Sequence, residues 1–281
     1  MQVNQIVAWM KERHSIYTKR SQGLPRPWTK DEIMLSYRFC NVYRELDTVT
    51  MWIAENWRGP FFGHPDLWFA MALSRLVNWP DTMEEMDVEH DILDNWDPDM
   101  FVEVMHRRKN AGLKTFSGAY IVSTNGNKMD KAEYLATTVL SPLWDARAKI
   151  RPKLEDNLAS FAARLSQHVG MGSFLSAQVV ADIKYVNPLK RADDWWTWAS
   201  SGPGSRRGLN RVMGWDTEKP WKETAWAETL RELHKWVNAK IGDTMPAVHA
   251  QDLQNCLCEF DKYERTRLGE GRPRSTYPGR G

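Results

Sequence analysis

The chain has 281 residues, of which 42% are hydrophobic, and its formal net charge is +2 at pH 7. This length allows one large domain or two lobes around a buried core, and the charge permits nucleic acid as a partner without demanding it. The three cysteines are an odd number without a secretion signal, which argues against a disulfide framework, and the absence of a C-x-x-C pair argues against zinc or an iron–sulfur cluster. No apolar run reaches membrane-spanning length, so we expect a cytoplasmic protein without a membrane partner.

Apolar residues recur at helical spacing in the N-terminal part of the chain. This spacing predicts a helix over 2–20 and, after a break rich in proline, a long helix from an N-cap at Thr29 to about Trp57. At 100° per residue, the long helix would carry one polar stripe. The stripe and its flanks are Arg38, Cys40, Asn41, Arg44, Asp47, Thr48 and Met51. This stripe is either a ladder of surface salt bridges or one wall of a site.

Helical patterns also dominate the remainder of the chain. Further helices are predicted over 65–77, 99–110, 128–139, 142–150, 173–187, 219–238 and 247–267. Residues 81–95 read as a short acidic helix or a loop. A β-branched run over 118–125 has the character of a strand but no partner strand. We therefore predict an all-α fold.

Two predicted helices flank a glycine turn. An apolar run from Phe161 stops at Gly170 and Gly172, and a second helix starts from an N-cap at Ser173. This order is the helix-hairpin-helix pattern, in which the hairpin and the N-terminus of the next helix can hold a DNA phosphate. The alternative is an ordinary interhelical turn, which has the same spacing.

About twenty residues after the hairpin, Asp193 and Asp194 precede an aromatic run that includes Trp195 and Trp198. This order resembles the helix-hairpin-helix DNA glycosylase superfamily, in which a catalytic aspartate follows the hairpin and faces an extruded base. Where lyase-type members carry a Schiff-base lysine, this chain has Phe174, so lyase chemistry through that residue is not expected. The alternative is that the two acids begin a helix and face solvent.

Glycine, proline and arginine are concentrated in residues 201–211. This composition predicts a loop that wraps an anion with backbone donors and guanidinium groups. Its side-chain donors are Arg206, Arg207, Asn210 and Arg211. A basic surface loop is the alternative.

The last predicted helix, 247–267, has a polar stripe beside its apolar face. The stripe consists of Asp252, Asn255, Cys256, Glu259 and Lys262. Residues 268–281 are basic and have no apolar anchor, so we predict a disordered tail. A basic tail would also suit contact with a DNA strand.

Three sequence blocks carry a more specific resemblance: RFCNVYRELDTVT, GPGSRRGLNRV and DLQNCLCEFDKYERTRLGEGRPR. Together they resemble the α-glutamyl/putrescinyl thymine pyrophosphorylase family and the related helical domain of 5-hydroxymethyluracil DNA kinases. The resemblance implies a helix-hairpin-helix glycosylase-like fold that works in bacteriophage DNA hypermodification, in the cytoplasm of an infected host. The implied partners are double-stranded DNA with a pyrophosphorylated 5-hydroxymethyl base and an amine, an amino acid or a polyamine, that replaces pyrophosphate.

The same resemblance implies two helical lobes around a cleft. One lobe would comprise roughly 1–110 and 220–267, the hairpin lobe 111–219, and the basic tail 268–281. In such folds the N-terminal and C-terminal helices return to one lobe. The polar stripes of the separate segments would then converge.

Displacement of pyrophosphate needs cations on the leaving group and a base for the protonated amine. Under the resemblance, the cations are Arg206, Arg207 and Arg211, with Arg38 and Arg44 as second candidates and with Gly170 and Gly172 on DNA phosphate. The base is Asp194 or Asp193, with Asp47, Asp252 and Glu259 as alternatives. The base edge or the amine would contact Asn41, Asn210, Asn255 and Lys262, and Trp195 or Trp198 would stack on the base. Whether Mg²⁺ accompanies the pyrophosphate stays open, since no acidic cluster marks a site for it.

Three rival functions remain open at this point. A conventional glycosylase would leave abasic sites in DNA. A DNA-binding module associated with a 5-hydroxymethyluracil DNA kinase would bind DNA without releasing pyrophosphate. A helical protein unrelated to DNA would show no salt-dependent DNA affinity. The amine that is transferred cannot be read from the sequence.

Overall fold

A computed structural model describes residues 2–89, 92–118, 124 and 126–277. Across these residues the chain is helical and forms no β-strand, which confirms the all-α prediction. None of the described helices combines the length and the apolar composition that a membrane crossing requires. The strand-like run over 118–125 falls almost entirely outside the described residues. The glycosylase-like arrangement of the helices stays a prediction.

The described part of the chain contains fourteen α-helices, α1 to α14. Their bounds are Val3–Ser21, Glu32–Ser36, Thr48–Ile53, Leu67–Val77, Pro80–Glu89, Pro98–Asn110, Lys131–Tyr134, Ser141–Asp145, Arg147–Ile150, Leu158–Leu165, Ser173–Ile183, Pro203–Met213, Glu223–Ile241 and Ala250–Arg267. A π-helical segment over Leu135–Leu140 joins α7 to α8, and another, Ala54–Arg58, continues α3.

The chain forms two compact units, and the first contains both ends of the sequence: Met1–Asp47 and Trp196–Gly281. Its core lies where α1, α13 and α14 pack together, because each of these helices has apolar residues three or four positions apart. The completely buried members include Ile6, Met10, Val237, Leu253 and Leu257. Helix α12 packs along α14 with Gly208 directly against the backbone of Leu257.

The second unit is Thr48–Trp195, and its centre is α4 packed against α11. Every residue of α4 is buried, as expected for a helix that is apolar on nearly all sides. Its one charged residue, Arg75, forms a buried ion pair of 2.5 Å with Asp182 on α11. A buried cation of this kind needs such a partner, because an isolated charge in an apolar core is very costly.

These units do not have the boundaries expected for the two lobes. Residues 48–110 belong to the second unit, because α4 packs on α11. Residues 196–219 belong to the first, because α12 packs on α14. The N-terminal and C-terminal helices belong to one unit, and the arrangement of two lobes around a cleft stays a prediction.

The predicted long helix from Thr29 to Trp57 is wrong. The cap is Asp31, whose carboxylate accepts from two backbone N–H groups, while the Thr29 hydroxyl bonds to Glu12. Helix α2 ends at Ser36, and the extended Tyr37 forms an isolated antiparallel bridge with Thr276. Hydrogen bonds to a distant part of the chain therefore replace the helical ones.

The same bridge contradicts the predicted disorder of the tail up to residue 277. The Arg38 N–H donates to the Ser275 carbonyl at 3.1 Å, and the Tyr277 N–H donates to the Ser36 carbonyl at 3.1 Å. Backbone pairing thus holds this segment, and Pro273 within it is buried. Residues 278–281 lie outside the described part of the chain.

Candidate functional site

Residues 37–47 form an irregular segment whose backbone is held by carboxylates. Glu259 accepts from the Cys40 N–H at 2.9 Å, and Asp252 accepts from the Arg44 N–H at 3.0 Å; both acids lie on α14. Asp47 accepts from the Asn41 N–H at 2.8 Å. Side chains thus take over donors that a helix would bond internally. The first and third sequence blocks therefore meet here, although not as two facing helices.

Arg13 on α1 also binds the segment 37–47. Its guanidinium donates to the Phe39 carbonyl at 3.0 and 3.2 Å and to the Asn41 side-chain oxygen at 2.7 Å. The Asn41 amide in turn donates to the Leu46 carbonyl at 2.6 Å. Arg13 is not among the site residues predicted from the sequence. Its position could have indicated that Arg13 is buried, because it follows Met10 by three residues on the buried face of α1.

Glu259 is held as an ion pair and does not stand alone as an acid. Its carboxylate lies 2.5 Å from the Lys262 ammonium, in addition to accepting from the Cys40 N–H. The same ammonium lies 4.8 Å from the centre of the Phe39 ring. Glu259 and Lys262 therefore fix each other and the irregular segment, because each satisfies the charge of the other.

Asp252 is similarly engaged at the start of α14. One carboxylate oxygen accepts from the Arg44 N–H, and the other lies 3.1 Å from the His249 ring. The His249 side chain also accepts from the Asp252 N–H and so caps the helix. Both side chains are almost completely buried. This pair organises the helix start and the irregular segment together.

Asp47 differs from the other acids of this cluster. Burial raises the pKa of the Asp47 carboxyl above its ordinary value of 3.8, and the Asn41 N–H and the Arg44 and Arg13 guanidinium groups oppose that shift. Only one of its oxygens forms a hydrogen bond within the described residues. A half-buried carboxylate with a raised pKa and an oxygen left for a ligand has the properties of a general base.

Asn255, on the same helix, has a side-chain nitrogen that is buried and has no hydrogen-bond partner in the described residues. A buried donor without an acceptor costs free energy, so such groups commonly mark places where a ligand or a water binds. Its predicted contact with the base or the amine stays a prediction.

The predicted anion loop over 201–211 is for the most part helix α12, which begins at Pro203. Proline suits the first turn because its missing N–H would have no partner there. The glycines serve close packing: a Cβ at Gly204 would meet the Cys258 side chain, and one at Gly208 would meet the Leu257 backbone. The composition was therefore misread as a loop.

The arginines of α12 are paired with acids inside the first unit. The Asp261 carboxylate accepts from Arg207 at 3.0 Å and from Arg211 at 2.9 Å. Arg211 also pairs with Glu270 and is nearly buried, so it has a structural role. Arg206 pairs with the exposed Glu223 at 3.0 Å. Of the three α12 arginines, Arg207 is held by Asp261 and keeps 30% of its side chain exposed.

Asn210 is completely buried and is used internally. Its amide donates to the carbonyls of Thr217 and Lys219 at 2.9 and 3.0 Å, and its oxygen accepts from the Trp221 ring N–H at 2.8 Å. All of these bonds hold the connection between α12 and α13. The predicted role of Asn210 in binding a base or an amine is therefore wrong, because no donor of the side chain remains for a ligand.

The glycine turn predicted between two helices is present in the second unit. Gly170 has a positive φ of 80°, and a Cβ there would lie 2.7 Å from the Val139 side chain, so both conformation and space require glycine. Gly172, and not the predicted Ser173, occupies the N-cap of α11. A contact of this turn with DNA phosphate stays a prediction.

Asp194, the first choice for the base, is a helix cap. Its two carboxylate oxygens accept from the backbone N–H groups of Leu158 and Ala159 at 2.8 and 3.0 Å, at the start of α10. Asp193 beside it is exposed. The Trp195 ring donates to the Lys184 carbonyl at 2.9 Å, and Trp198 is half-buried in the first unit. The acids after the hairpin thus belong to the second unit, whereas Asp47 belongs to the first.

We expect Asp194→Ala to destabilise the protein by about 1 kcal/mol, because two N–H groups at a helix start lose their acceptor. Asp193→Ala, the matched control, should leave the melting temperature unchanged. Thermal unfolding monitored by circular dichroism measures both. A normal melting temperature in Asp194→Ala together with lost enzymatic activity would restore Asp194 as the base.

Comparison with known proteins places these features in a family. Residues 1–272 match the family model described as the helical domain of 5-hmdU DNA kinase. The 5-hmdU DNA kinase of Bacillus phage SP10 is 25% identical over 221 residues, which cover 72% of this chain and 34% of that protein. The chain thus spans about a third of the length of this relative. No solved structure matches the chain significantly.

Proposed function

Because the chain belongs to the family of the 5-hmdU DNA kinase helical domain, we propose that it modifies thymine-like bases in phage DNA by replacing pyrophosphate with an amine. One observation carries the proposal: polar residues from the three sequence blocks that resemble thymine pyrophosphorylases lie together in the first unit. They belong to the segment 37–47, to α12 and to α14. A surface role would not require segments so distant in sequence to bond through buried carboxylates.

The proposed substrate is a 5-(pyrophosphoryloxymethyl)uracil in double-stranded DNA. The amine nitrogen bonds to the methylene carbon, the bond from that carbon to the pyrophosphate oxygen breaks, and pyrophosphate leaves with both bonding electrons. The amine must first lose a proton, which we assign to Asp47. A carboxylate whose pKa is raised by burial holds a proton more tightly than an exposed one and is therefore a better base.

Negative charge accumulates on the leaving pyrophosphate, so cations should lie near it. Within the first unit we assign this role to Arg207 and Lys262, each of which is partly exposed and held in place by an acid. Arg13 and Arg44 are buried and instead shape the segment that carries Asp47. Asn255 offers its unpaired side-chain nitrogen to the base edge or to the amine.

The decisive experiment incubates the protein with DNA that carries the pyrophosphorylated base and with a pool of amino acids and polyamines. We expect release of pyrophosphate and, after digestion, nucleosides whose mass corresponds to an aminomethyl adduct. DNA with unmodified 5-hydroxymethyluracil is the control and should yield neither product. Abasic sites in place of adducts would instead identify a glycosylase.

A second candidate is a DNA-binding module of a kinase. The match to the kinase of phage SP10 favours this candidate, because this chain aligns with only 34% of that protein. This candidate predicts salt-dependent DNA binding without any release of pyrophosphate. The same incubation therefore distinguishes the two functions, provided that DNA binding is measured in parallel.

A further inference from the structure

Two arginines of the first unit converge on one tyrosine ring. The guanidinium carbons of Arg26 and Arg38 lie 5.5 and 5.4 Å from the centre of the Tyr277 ring. Arg26 also lies 4.7 Å from the centre of the Trp28 ring. We refer to Arg26, Trp28, Arg38 and Tyr277 as the arginine platform.

Neither guanidinium of the platform has a hydrogen bond or an ion pair with a carboxylate among the described residues. Both side chains are exposed. The neighbouring acid Asp31 is already engaged, since it caps α2 and accepts from the Tyr263 hydroxyl at 2.6 Å. This contrasts with the three arginines of α12, each of which has an acidic partner.

Two positive charges gathered on one ring repel each other, and the electrostatic attraction to the ring is small at an exposed site. Backbone hydrogen bonds nevertheless fix the ring: the Tyr277 N–H donates to Ser36, and the Arg38 N–H donates to Ser275. The convergence is thus built into the fold of this segment. An arrangement of two fixed guanidinium groups without a counter-charge favours an anion with several acceptor oxygens.

We propose that the arginine platform binds the phosphodiester backbone of double-stranded DNA. The segments that carry the platform, 20–38 and 272–277, hold four further exposed cations. These cations are Arg20, Lys30, Arg272 and Arg274. Several exposed cations in the segments of the platform suit a chain of phosphates better than a single small anion. Because guanidinium groups already engage the rings of Trp28 and Tyr277, we assign the rings to positioning arginines and not to stacking on bases.

This inference rests on the proposed function only in taking DNA as the partner. It adds a surface for the DNA that flanks the target base, apart from the residues assigned to pyrophosphate. Binding through phosphates would be independent of sequence and of the base modification. It can therefore be tested on unmodified duplex DNA.

The test measures the dissociation constant for a fluorescent, unmodified duplex at several salt concentrations. Replacing both Arg26 and Arg38 by alanine should reduce the slope of log Kd against log salt concentration by about 2, roughly one for each phosphate contact. The matched control is the double variant Arg231→Ala with Lys240→Ala, which removes two exposed charges from α13. The control should keep the slope of the wild type. Equal slopes in the wild type and the platform variant, or an equal loss in the control, would overturn the proposal.

Two further measurements separate the platform from other roles. Tyr277→Phe keeps the ring and should bind DNA as the wild type does, whereas Tyr277→Ala should weaken binding because the guanidinium groups lose their fixed support. Inorganic pyrophosphate serves as a second ligand at constant ionic strength. If the double variant loses affinity for pyrophosphate while its DNA slope is unchanged, the arginines hold the leaving group and the proposal is wrong.

The outcome is distinguishable from that of the proposed function. Amine transfer with an unchanged DNA slope in the platform variant would support the function and reject the platform. A reduced slope without any release of pyrophosphate by the wild type would support the platform and reject the transfer.

Discussion

Replacing Asp47 by asparagine should lower the rate of amine transfer by roughly a hundredfold to ten-thousandfold, the usual contribution of a positioned base. Asparagine has nearly the same shape, and its oxygen can still accept from the Asn41 N–H. It cannot take a proton from the amine. DNA binding should therefore persist while single-turnover release of pyrophosphate becomes slow.

Ionisation of the Asp47 carboxyl should also appear in the pH dependence of the amine-transfer rate of the wild type. Burial raises the pKa of Asp47, so the rate should rise with pH through a midpoint above the ordinary carboxyl value of 3.8. This rise of the rate with pH should be absent in the asparagine variant. A rate that falls with rising pH over this range would assign the proton transfer to another group.

Stability provides a second readout for Asp47→Asn. A carboxyl whose pKa is raised in the folded state binds protons more tightly there than in the unfolded chain, so the wild type loses stability as the pH rises above the unfolded value. The asparagine variant is free of this penalty and should melt at the same temperature as the wild type or higher at pH 7. Asp243→Asn, an exposed site, is the control and should change neither property. A large fall in melting temperature would instead make Asp47 a structural residue.

Replacing Gly208 by alanine should destabilise the first unit by about 3 kcal/mol, at the upper end of the usual cost of overpacking. A Cβ there would lie 2.6 Å from the Leu257 carbonyl carbon and closer still to its oxygen. Backbone atoms of α14 cannot rotate away, so the two helices must separate. Chemical denaturation monitored by tryptophan fluorescence measures the loss.

Two glycine variants provide the comparison for Gly208→Ala. In Gly204→Ala the new Cβ meets the Cys258 side-chain sulfur, which can move, so a smaller loss is expected. Gly63→Ala meets nothing within 4 Å and should be nearly neutral. Equal stabilities of all three variants would show that α12 and α14 can separate at little cost.

Helices with a continuous apolar face could be predicted from the sequence because their burial is encoded locally. Helix α1 was expected over 2–20 and spans Val3–Ser21, and the last helix was expected over 247–267 and spans Ala250–Arg267. The segment 37–47 could not be predicted. Its backbone is held by Glu259 and Asp252, more than two hundred residues away, and local propensity contains no information about such partners.

For the same reason, only some of the candidate site residues could be predicted from the sequence. Convergence of the separated blocks followed from the resemblance, but the partner of each side chain did not. Arg211 and Asn210 have the residue types of ligand-binding groups, and only their contacts with Asp261 and Trp221 identify them as structural. Asp194 has the spacing of a catalytic acid, yet it caps a helix that begins 36 residues before it.

The division of the first unit between the two ends of the sequence has a consequence for synthesis on the ribosome. Residues 48–195 are contiguous and can fold as soon as they emerge, because domains generally fold as units during translation. Helix α1 is made before the second unit but must wait for α13 and α14, its packing partners, which are translated after that unit. Its apolar face stays uncovered for most of that time and is a natural target for chaperones. A chain that is interrupted before α14 therefore lacks Asp252 and Glu259, the acids that hold the segment 37–47.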